Sequence, residues 1–217
     1  MIIKADPIGK RYFLMAGKLL TWYMKRRFNK IKIQETELLK NHSYILMSNH
    51  FSFWDGFWAA YLSYHFIYKH NPDVKGFYIM SVEAQMKKHW WLKKFGCFSI
   101  APGTVSVAES LDYIAEILSE PGNIFLMWPQ GNLESTYVSK IVMKPGITDI
   151  MKRIKGDCQI FWSSNFVEYF ESLKPSIYFN LLNCGTDKDF EFTKLNDDIN
   201  KHHRKAMKKQ FRFTREE

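Results

Sequence analysis

Strand-length runs of apolar residues without polar alternation are the feature that most constrains this chain. "SYILMSN" (43–49) and "IFLMWP" (124–129) carry large side chains at consecutive positions. Both faces of such strands must be covered, as happens inside a sheet with helices on either side. "IKIQETELL" (31–39), "GFYIMS" (76–81), "QIFWSS" (159–164) and "SIYFNLLN" (176–183) read as further strands. Helical patterns lie between them. Residues 53–68 are apolar and aromatic with no Gly or Pro after Gly56, and 82–96 closes on Gly96, a usual helix stop. Val107, Ala108, Leu111, Ile114, Ala115 and Leu118 follow a helical repeat that "SEPGN" ends. The alternation predicts one α/β domain over 31–190, with a mixed, largely parallel sheet flanked by helices. An N-terminal amphipathic helix (1–30) precedes it, and a basic helix or tail with a solvated face (191–217) follows.

The chain has 31 Lys and Arg against 22 Asp and Glu, a net charge of +9. Such an excess attracts an anionic partner: nucleic acid, acidic lipid headgroups or a phosphate-bearing molecule such as coenzyme A. Residues 8–30 mix Phe13, Leu14, Leu20, Trp22, Tyr23 and Met24 with Lys10, Arg11, Lys18, Lys25, Arg26 and Arg27. They read either as an interfacial helix or as an ordinary amphipathic helix packed on the domain. Lys18 interrupts the apolar run, which is shorter than the ~20 residues a bilayer crossing needs, so a peripheral location on the cytoplasmic face of the membrane is expected. "MKKHWWLKK" places Trp90 and Trp91 between lysine pairs, the composition of a second membrane-facing surface. No nucleic-acid-binding motif accompanies the charge, and no nucleic-acid partner is expected. Cys97, Cys158 and Cys184 are far apart, with neither disulfide-framework nor metal-ligand spacing. No metal is expected, and the setting is a reducing one.

The stretch "MSNHFSFWDGFW" (47–58) sets His50 at the carboxyl end of a buried strand, where open α/β sheets place ligands. Two readings compete for it. Ser52 and Asp55 have capping-box spacing, so Asp55 would stabilise a helix start and His50 would be a loop residue. Alternatively, a turn between His50 and Asp55 lets the carboxylate orient the imidazole, which then accepts a proton from a hydroxyl. Such a dyad needs no enzyme nucleophile and suits direct attack of a substrate alcohol on an activated acyl group.

With these residues in view, the chain resembles the PlsC-like glycerolipid and lysophospholipid acyltransferases, marked by an N-H-x-x-x-x-D block. "SNHFSFWD" matches that block, and the likeness continues in order over residues 42–185. "FGCFSIAPG" resembles the second block, "MWPQGNLES" the third, and "MKPGITDIMKRI" the helix start that follows. The resemblance implies an O-acyltransferase with His50 and Asp55 catalytic. Asn49, Ser52, Gly96, Ser99, Pro129, Gln130 and Gly131 would be substrate-binding, with an amide near Gly131 as an oxyanion donor. It implies no cofactor, acyl-CoA or acyl carrier protein as donor, and membrane lipid as partner. Two departures bear on the acceptor. Ala101-Pro102 stands where the family carries Arg, and Gln130 where it carries Glu. Their loss shifts the expected acceptor from lysophosphatidic acid towards a glycolipid, carotenoid glycoside or other lipid alcohol. The altered blocks also leave open a non-catalytic lipid-binding protein that retains the fold.

Overall fold

The computed structural model describes residues 2–211. The chain runs α1 (Lys10–Arg27), β1 (Lys30–Gln34), β2 (Ser43–Ser48), α2 (Asp55–Leu62), β3 (Gly76–Val82), α3 (Glu83–Lys88) and β4 (Cys97–Ile100). It continues through α4 (Ser106–Leu118), β5 (Asn123–Met127), α5 (Gly146–Met151), β6 (Cys158–Glu168), β7 (Ser176–Thr186) and α6 (Phe192–Lys208). The seven strands form one sheet in the order β1-β7-β6-β2-β5-β3-β4. β6, β2, β5, β3 and β4 are mutually parallel, and the direction reverses once, at the antiparallel β6–β7 pair. β1 then runs parallel to β7. This is a single α/β domain with a mostly parallel sheet flanked by helices.

The unalternating strands follow from cover on both faces. In β2, Ile45 and Met47 pack into one core with Ile114 of α4, Ile147 of α5 and Ile199 of α6. Tyr44 and Leu46 enter the other core with Met24 of α1, Trp58 and Leu62 of α2, and Phe66. Leu46 lies opposite Leu126 on one neighbour and Phe161 on the other, at the centre of the sheet.

Several elements differ from their sequence reading. The helix expected over 53–68 begins at Asp55 and widens into a π segment, Ser63–Tyr68. There α1 docks closely: a Cβ on Gly17 would meet the Tyr64 ring at 2.4 Å, and Thr21 Oγ1 lies 2.7 Å from His65 Nε2. The stretch 82–96 is not one helix. It breaks at His89 and continues as a 3₁₀ turn, Trp90–Phe95, because only Met86 is buried across the two pieces and no apolar stripe holds a continuous helix to the sheet. Gly96 ends that turn at φ +78°, where a Cβ would come within 2.0 Å of the Phe77 carbonyl oxygen. The first strand stops at Gln34. α6 has a solvated basic face, but its other face buries Leu195, Ile199, Asn200, His203 and Ala206. Residues 212–217 of the expected tail lie outside the described residues.

Candidate active site

β2 ends at Ser48, and the next two residues are fixed from both sides. Asn49 is buried, and its side-chain amide pairs with the backbone of Asn165 on β6. Nδ2 donates to the Asn165 carbonyl (3.0 Å), and Oδ1 accepts from its N–H (2.8 Å). A side chain thus adds one more rung to the β2–β6 ladder. The His50 N–H donates to Gln130 Oε1 (2.8 Å), and its carbonyl accepts from the Glu134 N–H (2.8 Å). Gln130 Nε2 donates to Glu134 Oε2, which accounts for an amide where the resembled family carries Glu. A second carboxylate at 130 would face that of Glu134, whereas an amide accepts from His50 and donates to Glu134.

The loop then turns so that His50 and Asp55 meet. His50 Nδ1 is 2.6 Å from Asp55 Oδ2, and the same oxygen accepts from the N–H groups of Phe51 (2.8 Å) and Ser52 (3.0 Å). Residues five apart reach one another because α2 starts only at Asp55, leaving 50–54 outside its regular spiral. Asp55 is buried and His50 half-buried. The capping box is realised only in part. Ser52 Oγ accepts from the Trp54 N–H (3.1 Å), while the Asp55 N–H donates to the Ser52 carbonyl (3.1 Å). The two readings therefore coincide in one carboxylate, which organises the loop amides and orients the imidazole together. The Trp128 ring lies against His50, centroids 5.4 Å apart.

Pro129, Gln130 and Gly131 follow β5 and reach the same loop. The Pro129 carbonyl accepts from the Lys144 N–H (2.8 Å). Gly131 has φ +74°, and a Cβ there would lie 2.6 Å from Lys144 Nζ, so an ammonium rests against this turn. The Gly131 N–H, in the backbone region where an oxyanion donor is expected, donates to the Trp128 carbonyl (3.0 Å) in this conformation. Asn49, His50, Ser52, Asp55, Pro129, Gln130 and Gly131 thus belong to one cluster of loops. Gly96 and Ser99 do not. They belong to the β4 edge, three strands from β2 and about 14 Å away laterally at ordinary strand spacing. Ser99 Oγ there accepts from the Ile3 N–H (2.8 Å). Trp128, Glu134, Lys144 and Asn165 were not singled out from the sequence. Trp128, Glu134 and Lys144 stood within quoted blocks, whereas Asn165 stood in none.

No thiol is poised as a nucleophile. Burial pushes Cys97 up to about 11 and Cys158 up to about 12, and also raises Cys184, so all three stay protonated at neutral pH. The described residues contain no cluster of three or more His, Cys, Asp or Glu side chains that could hold a metal ion.

A family model described as Acyltransferase matches residues 30–161, which include the whole His50–Asp55 loop and the Pro129–Gly131 turn. Among solved structures the chain is similar to PlsC, the 1-acyl-sn-glycerophosphate (LPA) acyltransferase from Thermotoga maritima. The TM-score is 0.59 at 12% identity, covering 94% of this chain and 81% of that one. At that identity the likeness is one of fold. No curated protein sequence matches the chain.

Proposed function

Because the chain belongs to the Acyltransferase family, we propose that it moves a fatty acyl group from a thioester to the hydroxyl of a lipid or glycolipid at a membrane surface. The donor is acyl-CoA or acyl carrier protein, His50 is the general base, and Asp55 orients it. The observation that carries this reading is the 2.6 Å contact between His50 Nδ1 and a carboxylate oxygen that two loop amides also hold.

An ionised carboxylate only accepts, so the hydrogen between the pair belongs to Nδ1 and the imidazole lone pair to Nε2. The acceptor hydroxyl oxygen attacks the thioester carbonyl carbon as its proton passes to Nε2. A C–O bond forms and the carbonyl π pair moves onto oxygen. Collapse of the tetrahedral intermediate re-forms the carbonyl and breaks the C–S bond, and His50 returns the proton to the departing thiolate. Ester and thiol result, and His50 is neutral again. Asp55 stabilises the imidazolium in between.

Turnover of a labelled acyl thioester with a total lipid extract tests this. His50→Ala should lower the rate about 10²–10⁴-fold while leaving the thermal transition in place. Wild-type turnover by that variant would leave the loop with a structural role only. Asp55→Asn should be as severe, since it weakens the amide contacts as well as the imidazole contact.

The acceptor we propose carries an uncharged sugar or alcohol head. Ala101 and Pro102 lack the guanidinium fork that suits a phosphate, and Gln130 is occupied by His50 and Glu134. Lys144, the cation that rests against the Gly131 turn, is a point charge without that fork. The rates for a neutral lipid alcohol and for lysophosphatidic acid, measured side by side, decide this. Faster turnover of lysophosphatidic acid overturns it.

Location is proposed as peripheral, on the cytoplasmic face of the membrane. Tyr12, Met15, Leu19 and Trp22 form an exposed stripe on α1, and Phe53 and Phe57 are exposed beside the His50 loop. Trp90, Trp91 and Phe95 form a second exposed aromatic group, beside Lys87, Lys88, Lys93 and Lys94. Among the described residues no helix is long and apolar enough to cross a membrane.

A further inference from the structure

The end of α1, the start of α2 and the loop between β6 and β7 enclose a cleft of about 490 Å³. It opens at the same end of the sheet as His50, since β6 runs parallel to β2 and its loop extends beyond β2's carboxyl end. Tyr23, Trp54 and Trp58 line it with rings, and Arg26, Arg27 and Lys174 line it with cations. No carboxylate among the described residues lines it, and the loop's own Glu171 lies 3.8 Å from Lys30 Nζ. The guanidinium of Arg26 lies over Trp22 (4.3 Å to the ring centroid) and that of Arg27 over Tyr23 (5.5 Å). Cation–π contact of this kind uses the ring face and leaves N–H groups of a guanidinium to meet oxygen.

We propose that this cleft seats the phosphate headgroup of an anionic membrane phospholipid, bound as an anchor and not acylated. The proposal rests on the membrane location given above and adds a specific headgroup site to it. Paired guanidiniums match phosphate oxygens in shape as well as charge. The exposed Leu19 and Trp22 continue from the cleft along α1, and Leu173 stands exposed on the opposite lip. A phospholipid uses both halves of this surface: its phosphate meets the cations and its acyl chains lie on the apolar track. A free phosphate or a coenzyme A phosphate would use the cations alone.

Vesicle binding by the full chain carrying His50→Ala, with no thioester present, separates the site from catalysis. Vesicles of phosphatidylcholine alone are compared with vesicles containing phosphatidylglycerol. The expected result is preference for phosphatidylglycerol, lowered about tenfold or more by Arg26→Gln with Arg27→Gln. Lys152→Gln with Lys155→Gln removes equal charge near the amino end of β6 and should cost far less. Equal losses in the two double variants would reduce the cleft to general electrostatics and overturn the site while keeping the membrane reading. Failure of the unaltered surface to bind either vesicle overturns both. Coenzyme A or inorganic phosphate displacing the protein from vesicles at low concentration, through Arg26 and Arg27, would reassign the site to a soluble phosphate.

Discussion

α1 and α6 are nearly equal in length, 18 and 17 residues, and both are strongly basic, yet they bury opposite things. On α6 the apolar positions Leu195, Ile199 and Ala206, with His203, turn to the sheet, and the cations Lys201, Arg204 and Lys205 turn outward. On α1 only Gly17 and Met24 are buried, while Tyr12, Met15, Leu19 and Trp22 repeat at helical spacing on the open side. Basic charge is common to both helices and so does not distinguish a membrane-facing helix from a packed one. The distinguishing mark is an apolar stripe that the fold leaves uncovered, and only α1 carries it.

Substitutions in the two stripes should act on different measurements. The largest stability effect belongs to α6: Ile199→Ala should cost about 2–4 kcal/mol by urea denaturation, because the side chain is fully buried. A cost comparable to a surface substitution would mean that α6 does not close the core. On α1, Leu19→Glu with Trp22→Glu should change stability by no more than about 0.5 kcal/mol per site. The same pair should lower vesicle affinity about tenfold, since it removes apolar area and adds negative charge. A large fall in the thermal transition would instead make that stripe part of the core.

The smallest effect concerns pH. Burial holds His203 below the ordinary imidazole range, and it also lowers His202 beside it. The unfolded chain therefore takes up these protons first. The stabilisation is complete above about pH 6.5 and declines as pH falls from there through the lowered folded values. Denaturation midpoints should fall on acidification, and His203→Gln should flatten that slope. An unchanged slope would show that His203 does not set it.

The comparison also shows what could be read in advance. Strands buried on both faces leave a direct signature in β2 and β5, and the apolar repeat of α4 is visible for the same reason. α6 was legible in principle, with Leu195, Ile199, His203 and Ala206 at helical spacing, but one of its buried positions is a histidine. His203 is accommodated by a bond that Nε2–H donates to the Val138 carbonyl and one that Nδ1 accepts from the Ser164 hydroxyl, and nothing local announces these. The break at His89 and the π turn at Ser63 depend on what lies across from them. At the candidate site the spacing of His50 and Asp55 left a capping box and a dyad both open, and the resemblance pointed to the pairing that the turn makes. The tasks of Asn49 and Gln130 were not legible, because their partners Asn165 and His50 are more than 75 positions away in the chain.

Tyr23 and Trp54, which both line the cleft, also touch each other. Tyr23, near the end of α1, stacks on Trp54, the residue before Asp55, with centroids 6.1 Å apart and planes 22° from parallel. The helix proposed to lie on lipid is thereby braced against the turn that holds His50, the proposed base. For an enzyme docked in this way, the acceptor is encountered in two dimensions. Its turnover should scale with the mole fraction of acceptor in the bilayer, and diluting the vesicles in buffer at fixed composition should leave the rate of each bound molecule unchanged.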